Sequence, residues 1–145
     1  MKIAFGCDHG GIEAKDAIIY YLAQNGHEVI DFGTNSTESC DYPDYAIPVS
    51  KAVANKEVDF GILVCGTGIG MSICANKIKG VRCAHVTDLF SAEFTRKHND
   101  TNVIALGARI SKTEDIVSYV DKFLTTEFEG GRHAKRVEKI NSLDK

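Results

Sequence analysis

The segment Cys65-Gly66-Thr67-Gly68-Ile69-Gly70 places a thiol at the start of a glycine-rich loop, between an apolar run and a helical pattern. Glycines allow a tight turn with several backbone N–H groups on one side, and the next helix adds unpaired N–H groups. Such a loop can hold a phosphate or an oxyanion, and a thiol at a helix N-terminus ionises readily. Cys65 is therefore a candidate nucleophile or general base. The alternative is an inert cysteine that ends a buried strand.

Three common kinds of phosphate-handling loop are excluded by the residues that follow this segment. A Walker loop needs a Gly-Lys-Ser/Thr ending, which is absent. The dinucleotide fingerprint G-x-G-x-x-G would need glycine at position 71, and a phosphatase loop of the Cys-x5-Arg kind would need arginine there. The residue at that position is Met71. The segment is therefore a cysteine beside an anion-holding loop that is neither a Walker loop, nor a dinucleotide fingerprint, nor a Cys-x5-Arg loop.

A second group of polar residues is Asp8-His9-Gly10-Gly11, which follows the apolar run from Lys2 to Cys7. The Asp8 carboxylate can accept hydrogen bonds from sugar hydroxyls, and the His9 ring can donate to a hydroxyl or a phosphate. Aspartate is also a favoured N-cap residue, so the alternative is that Asp8 only caps the next helix.

His98 and Asn99 end a helical stretch that begins near Leu89, just before the last apolar run. A histidine in the last turn of a helix often serves only as a partner of the terminal carbonyls and of the dipole. By itself this position favours a structural role for His98. His85 lies inside a strand-like run and is predicted to be a core residue without a partner.

The C-terminal part of the chain contains Gly130-Gly131-Arg132-His133-Ala134-Lys135-Arg136. On a helix, Arg132 and Arg136 lie one turn apart on the same face and can converge on one anion. The planar guanidinium group matches phosphate oxygens, and Arg109, just after the last apolar run, is a third candidate. The alternative is a basic tail that only faces water.

Five short apolar runs, separated by helical patterns, would position these residues. They are nearly continuous in apolar residues, which is typical of parallel strands covered on both faces. We therefore predict an α/β fold with a doubly wound, five-stranded parallel sheet in a Rossmann-like three-layer sandwich. A 2-1-3 strand order would bring the first and third turns together beyond the carboxyl ends of the strands, where such sheets bind ligands. The runs are Lys2 to Cys7, Glu28 to Phe32, Val58 to Cys65, Arg82 to Val86 and Asn102 to Leu106.

Several helix boundaries can be predicted from the same patterns. A helix is expected from Met71 to Lys77 after the glycine loop, and Ser111 with Glu114 resembles a capping box that opens the last main helix. The chain has 145 residues, of which 43% are hydrophobic and 26% charged, an ordinary globular composition. We therefore expect a single domain over residues 1–145, with a C-terminal helical tail from about residue 129.

Charge, hydropathy and cysteine usage exclude several classes of protein. The formal net charge of −3 gives no general attraction to nucleic acid, so no nucleic-acid partner is expected. No apolar stretch approaches the roughly 20 residues that span a bilayer, and no export signal follows the N-terminus, so no membrane partner and a cytoplasmic location are expected. The five cysteines include no C-x-x-C pair, which argues against a zinc site or a disulfide framework.

Taken together, these motifs resemble the type B ribose-5-phosphate isomerases, which are related to galactose-6-phosphate isomerase. The resemblance spans almost the whole chain, with the motifs in the family's order and spacing. The matching segments are Asp8 to Gly11, Asp31-Phe32-Gly33-Thr34, Asp41-Tyr42-Pro43-Asp44, Cys65 to Gly70, His98-Asn99-Asp100, Ala105 to Arg109 and Gly130 to His133.

The resemblance implies an aldose–ketose isomerase that interconverts ribose 5-phosphate and ribulose 5-phosphate. It makes Cys65 the base that moves a proton between C1 and C2, with Thr67 assisting and His98 opening the furanose ring. The backbone N–H groups from Gly66 through Gly68 to Gly70 would stabilise the enediolate oxygen. Asp8, His9, Tyr42 and Asn99 would line the sugar, and Arg109, Arg132 and Arg136 would bind the phosphate.

The resemblance also implies partners. The family forms homodimers whose active sites use both subunits, and the sequence leaves open whether the dimers pair into tetramers. The partner molecule would be a small sugar phosphate. The reaction moves a proton and no hydride leaves the substrate, so no cofactor is expected, and no metal site is expected either.

Three alternatives stay open beside this interpretation. One is an isomerase of a six-carbon sugar, allose 6-phosphate or galactose 6-phosphate. Galactose-type relatives tend to lack the His98-Asn99 pair and the Gly-Gly-Arg-His segment, which favours the five-carbon substrate here. A second is a non-catalytic nucleotide-binding module on the same α/β layout, since fold alone does not fix function. A third is a thiol redox or phosphatase protein, which the missing C-x-x-C pair and Met71 argue against.

Overall fold

A computed structural model describes residues 1–145 and contains one parallel sheet of five strands in the order β2-β1-β3-β5-β4. The strands are β1 (Lys2–Cys7), β2 (Glu28–Asp31), β3 (Phe60–Cys65), β4 (Cys83–His85) and β5 (Val103–Gly107). The helices are α1 (Ile12–Gln24), α2 (Pro43–Ala54), α3 (Ile69–Ala75), α4 (Leu89–Asn99), α5 (Thr113–Leu124) and α6 (Arg132–Asn141), and a short 3-10 turn covers His9–Gly11. None of the helices is both long and apolar enough to cross a membrane.

Helices cover both faces of the sheet, as the continuous apolar runs predict. Successive residues of a strand point to opposite faces, so Ile3 and Phe5 join one core while Ala4 joins the other. The first core packs the sheet against α1, α4 and α5, and the second packs it against α2 and α3. The predicted doubly wound three-layer fold with a 2-1-3 order is therefore confirmed, and it brings the ends of β1 and β3 side by side.

The predicted start of α5 and the predicted burial of His85 both differ from the structure. The capping box is wrong, because the backbone N–H of Ser111 bonds to the Gly107 carbonyl at 3.1 Å in the turn after β5. Helix α5 begins only at Thr113, and its N-cap Lys112 makes no side-chain capping bond. The core assignment of His85 is also wrong, since this residue lies exposed on the outer strand β4.

The outer edge of β4 is covered by a side chain from the end of α3. The Asn76 amide donates to the Cys83 carbonyl at 2.9 Å, and its oxygen accepts the Cys83 N–H at 2.8 Å. Asn76 thus satisfies the outward backbone groups of Cys83, which would otherwise face solvent at the sheet edge.

A buried arginine fixes the end of α4. The Arg96 guanidinium contacts the Asp100 carboxylate at 2.9 Å and the Thr101 carbonyl at 2.6 Å, and it lies 4.9 Å from the centre of the Phe60 ring. Asp100 ends the helix in the left-handed conformation with φ of 46°. Because these contacts hold the turn that ends α4, they also fix the helix end that carries His98 and Asn99.

Candidate active site

The thiol of Cys65 lies at the carboxyl end of β3 and is buried, with 5% of the residue exposed. Its sulfur accepts a hydrogen bond from the backbone N–H of Gly68 at 3.1 Å. Gly68 has φ of 83°, a left-handed conformation that glycine adopts without strain, and it starts α3. The loop therefore curls back so that its own backbone binds the cysteine sulfur.

Other backbone donors of this loop have no partner in the chain. The Ile69 N–H bonds to the Thr67 hydroxyl oxygen at 3.2 Å, but the N–H groups of Gly66, Thr67 and Gly70 make no hydrogen bond. Unpaired backbone donors in a glycine loop next to a thiol are suited to a developing oxyanion.

The carbonyl side of the loop is tied to the turn after β5. The Cys65 and Gly66 carbonyls accept the N–H groups of Ala108 and Arg109, both at 2.9 Å. The Arg109 side chain then packs directly on Gly66, where a β-carbon would lie 2.8 Å from a guanidinium nitrogen. Arg109 is exposed and makes no ion pair, so its charge is available next to the thiol loop.

Asp8 and His9 lie beside this loop because β1 pairs with β3. The buried Asp8 carboxylate accepts the Gly10 N–H at 2.9 Å and so caps the 3-10 turn, whereas the N-cap of α1 is Gly11. The Nδ1 atom of His9 accepts the Cys40 N–H at 3.3 Å. In the neutral ring the hydrogen is then on Nε2, which leaves His9 as a donor, the role predicted from its sequence position.

Tyr42 completes this half of the site. Its ring packs against Gly70, where a β-carbon would lie 2.5 Å from the phenol carbon Cζ. A larger residue at position 70 would push the ring away from the loop. We call Asp8, His9, Tyr42, the 65–70 segment and Arg109 the loop group.

His98 belongs to a different set of side chains, at the end of α4 and the start of α6. The Nε2 atoms of His98 and His133 each lie 3.6 Å from the same carboxylate oxygen of Glu129. The two imidazole rings stack, with centroids 4.1 Å apart and planes 14° from parallel. The Glu129 N–H bonds to the Lys97 carbonyl at 3.1 Å, which holds the segment before α6 against α4.

The arginines of this set give its surface a positive charge. Desolvation lowers the pKa of His133 below its usual value, and the neighbouring His98 and Arg132 lower it further. Arg132 and Arg136 lie exposed on the first turns of α6 and form no ion pair. We call His98, Asn99, Glu129, His133 and these arginines the helix group.

His98, Glu129 and His133 offer ligand atoms within 4.8 Å of one another and are the three side chains that could hold a metal ion. The ring geometry is poor for this purpose. A metal binds in the plane of an imidazole ring along the nitrogen lone pair. With the ring planes only 14° from parallel, the two lone pairs run side by side and do not meet at one point.

The loop group and the helix group are not directly linked within the chain. No hydrogen bond, ion pair or ring contact joins them. An open groove of about 350 Å³ is lined by His85, Phe90, Phe94, His98 and Asn99. His85 reaches from this groove to the thiol loop, where its Nε2 lies 2.7 Å from the Thr67 carbonyl oxygen.

Two residues of interest were not found by sequence reasoning. Glu129 stands four residues before His133, and this spacing is the signal in the sequence that indicates a contact between their side chains. His85 carries no such signal, because its contact with Thr67 depends on the approach of β4 to the loop after β3.

Known proteins resemble this chain over nearly its whole length. The family model for Ribose/Galactose Isomerase matches residues 3–140. Ribose-5-phosphate isomerase B of Escherichia coli strain K12 is 51% identical, over 99% of this chain and 96% of that protein. A solved structure of Clostridium thermocellum ribose-5-phosphate isomerase B is 49% identical, with a TM-score of 0.96 over 99% of this chain and 97% of that chain. The Mycoplasma genitalium enzyme, solved with bound ribulose 5-phosphate, is 39% identical with a TM-score of 0.93, covering 97% of this chain and 94% of that one.

Proposed function

The chain belongs to the ribose/galactose isomerase family, and from that premise we propose that it interconverts ribose 5-phosphate and ribulose 5-phosphate with Cys65 as the base. The observation that carries the proposal is the arrangement around this cysteine. Its sulfur accepts the Gly68 N–H at 3.1 Å, and unpaired backbone donors follow it in the same loop. Relatives named ribose-5-phosphate isomerase B support the choice of a five-carbon substrate.

The proposed reaction needs only proton transfers. The Cys65 thiolate removes the proton from C2 of the open-chain aldose, and the electron pair moves to the carbonyl oxygen at C1 to form an enediolate. The N–H groups of Gly66, Thr67 and Gly70 stabilise that negative charge, and one such donor contributes roughly 10²–10³ in rate. The hydrogen on O2 passes to the negative O1, and the cysteine returns its proton to C1 while O2 becomes the ketone oxygen.

Thr67 and His98 have supporting roles in this proposal. The Thr67 hydroxyl oxygen accepts the Ile69 N–H, so its own hydrogen remains free to move between the substrate oxygens. His98 would act before the isomerisation, by transferring protons at the ring oxygen and the anomeric hydroxyl to open the furanose. The pairing of its Nε2 with Glu129 supports this role, since it fixes the ring orientation.

The phosphate would be held by Arg109, Arg132 and Arg136. All three are exposed and free of ion pairs, which supports a role in binding an anion. Binding a phosphate away from the reacting carbons orients C1 and C2 at the base. Asp8, His9, Tyr42 and Asn99 would contact the sugar between these two ends.

We further propose a homodimer in which the loop group of one subunit faces the helix group of its partner. The lack of a hydrogen bond, ion pair or ring contact between the two groups within one chain supports this arrangement. Large apolar side chains are exposed on α3 and at the start of α4, where Ile73 is 58% and Phe90 is 68% exposed. Burial of such side chains against a second subunit would stabilise a dimer.

The function can be tested with ribose 5-phosphate in D2O, without added metal or nucleotide, followed by proton NMR. We expect ribulose 5-phosphate with deuterium at C1, because the cysteine exchanges its proton with solvent between the two transfers. Ketose without deuterium would still support isomerisation and would indicate a shielded transfer. Neither product nor exchange would contradict the proposal, and allose 6-phosphate and galactose 6-phosphate run in parallel would measure the preference for sugar length.

The base assignment has its own test in Cys65→Ala. We expect kcat to fall by about 10³ or more, within the range that general bases contribute, while the fold is kept. Cys74→Ala is a matched control, since Cys74 lies half-buried on α3. Turnover in Cys65→Ala within tenfold of the parent would contradict the assignment.

A further inference from the structure

The peptide group between Thr67 and Gly68 is held at both of its ends. Its carbonyl oxygen lies 2.7 Å from the Nε2 atom of His85, and its N–H donates to the Cys65 sulfur at 3.1 Å. A backbone carbonyl can only accept a hydrogen bond, so the His85 Nε2 must carry a hydrogen and be the donor. His85 itself does not touch the thiol.

We propose that His85 is a positioning residue, which holds this peptide so that its N–H stays on the Cys65 sulfur and favours the thiolate. The inference rests on the proposed function, in which Cys65 is the base. In a planar trans peptide the C=O and N–H point in opposite directions, so a bond that fixes the carbonyl also fixes the N–H. A donor aimed at sulfur stabilises the charged form more than the neutral thiol.

This peptide needs an external partner because glycine does not fix it. Rotation of the peptide by half a turn changes ψ of Thr67 and φ of Gly68, and glycine accepts both signs of φ. In the flipped state the carbonyl would face the sulfur, which would disfavour a negative charge there. The hydrogen bond from His85 selects the orientation that donates to the sulfur.

The surroundings of the peptide support a built contact. A β-carbon on Gly68 would lie 2.8 Å from His85 Cδ2 and 2.9 Å from the Leu106 carbonyl carbon, so the imidazole and β5 enclose the residue. His85 pairs with Ala105 of β5 and is fixed to the sheet. The other ionisable side chains of the loop group are Asp8, His9, Tyr42 and Arg109, and substitution of His85 leaves all of them in place.

The test compares two substitutions in the full chain. His85→Leu keeps most of the bulk and removes the donor, while His85→Gln keeps an N–H at similar reach. The first measurement is the rate of Cys65 alkylation by iodoacetamide against pH, followed on the Cys65 peptide by mass spectrometry. We expect the midpoint of this profile to move up by about one pH unit in His85→Leu and to return toward the parent in His85→Gln.

The second measurement is isomerase kinetics on the same variants. For His85→Leu we expect kcat at neutral pH to fall about tenfold with KM unchanged, because less thiolate is present. An unchanged midpoint in His85→Leu would overturn the inference, whatever happens to kcat. The alkylation profile does not require isomerase activity, so failure of this inference and failure of the proposed function are separate outcomes. His27→Gln, which alters a histidine just before β2, is the control.

Discussion

The rings of His98 and His133 stack at a centroid distance of 4.1 Å, and both place Nε2 at 3.6 Å from the same oxygen of Glu129. This pair joins the end of α4 to the start of α6. Because Arg132 lies next to His133, the proposed ring-opening histidine and the proposed phosphate arginines are carried by one connected piece of structure. A change in the stack should therefore affect both sugar and phosphate contacts.

The stack makes stability depend on pH. The pKa of His133 is lowered in the folded chain, first by desolvation and then by His98 and Arg132. The unfolded chain therefore binds more protons as the pH falls through the usual histidine value of about 6.5, and stability is lost below that value. The variant His133→Phe can stack but cannot ionise. When the pH is lowered from 7.5 to 5.5, a range that spans about 6.5, we expect its melting temperature to fall less than that of the parent. Equal pH dependence of the two proteins, measured by circular dichroism, would contradict this.

The exposed arginines of α6 should control substrate affinity. A charge-assisted hydrogen bond contributes roughly 1.5–3 kcal/mol, so Arg132→Ala or Arg136→Ala should raise KM for ribose 5-phosphate by about 10- to 100-fold. Lys135→Ala, an exposed cation on the same helix, is the matched control and should leave KM nearly unchanged. Competitive inhibition by inorganic phosphate should weaken in parallel. An unchanged KM in both arginine variants would show that they only face water.

A shared active site can be tested by complementation. Cys65→Ala removes the proposed base from the loop group, and His98→Asn removes the proposed ring-opening imidazole from the helix group. Each homodimer should therefore be poorly active. In a co-expressed mixture about half of the dimers are mixed, and each of these has one intact and one doubly altered site if the groups come from different subunits. We expect recovery to roughly a quarter of the parent rate on this counting. Activity no higher than the average of the two separate variants would show that each site lies within one subunit.

Arg96 should be the most costly charged residue on α4 to replace. Its side chain is 9% exposed and is held by Asp100 and the Thr101 carbonyl. Arg96→Met would leave the Thr101 carbonyl without its donor and Asp100 with only the contact from Arg82 at 3.5 Å. We expect a cost of about 2–3 kcal/mol in the free energy of unfolding, reduced from the fully buried case because Asp100 is partly solvated. Lys97→Met, which removes a surface pair with Glu93 and a cation contact with the Phe94 ring, should cost much less. Urea unfolding of both variants measures the difference, and equal losses would contradict the prediction.

Much of the fold could be predicted because its strands are covered on both faces. Burial on two sides requires nearly continuous apolar runs, and Lys2 to Cys7 is found as predicted. The ends of other strands differ, because pairing stops where the partner strand ends. Strand β4 has only three residues and lies at the edge of the sheet, where His85 is exposed.

The candidate site could be predicted only where its chemistry is local. Cys65 and its glycines are consecutive, so the spacing itself indicates an anion-holding loop. The contact of His85 with Thr67 and the joining of His98 to His133 depend on how distant elements pack, which no spacing records. Arg96 looks like a solvent-facing cation on a helix, yet it is buried, because an aspartate and two phenylalanine rings receive its side chain.

The hydrogen bonds of Asn76 to Cys83 have a consequence for aggregation. An uncovered edge strand is a template for pairing with another chain, and uncontrolled pairing of this kind leads to fibrils. Here the outward N–H and carbonyl of Cys83 are already satisfied by a side chain, on a strand of three residues. Another strand that paired with β4 would first have to displace Asn76 from Cys83, which disfavours growth by strand addition on that side of the sheet.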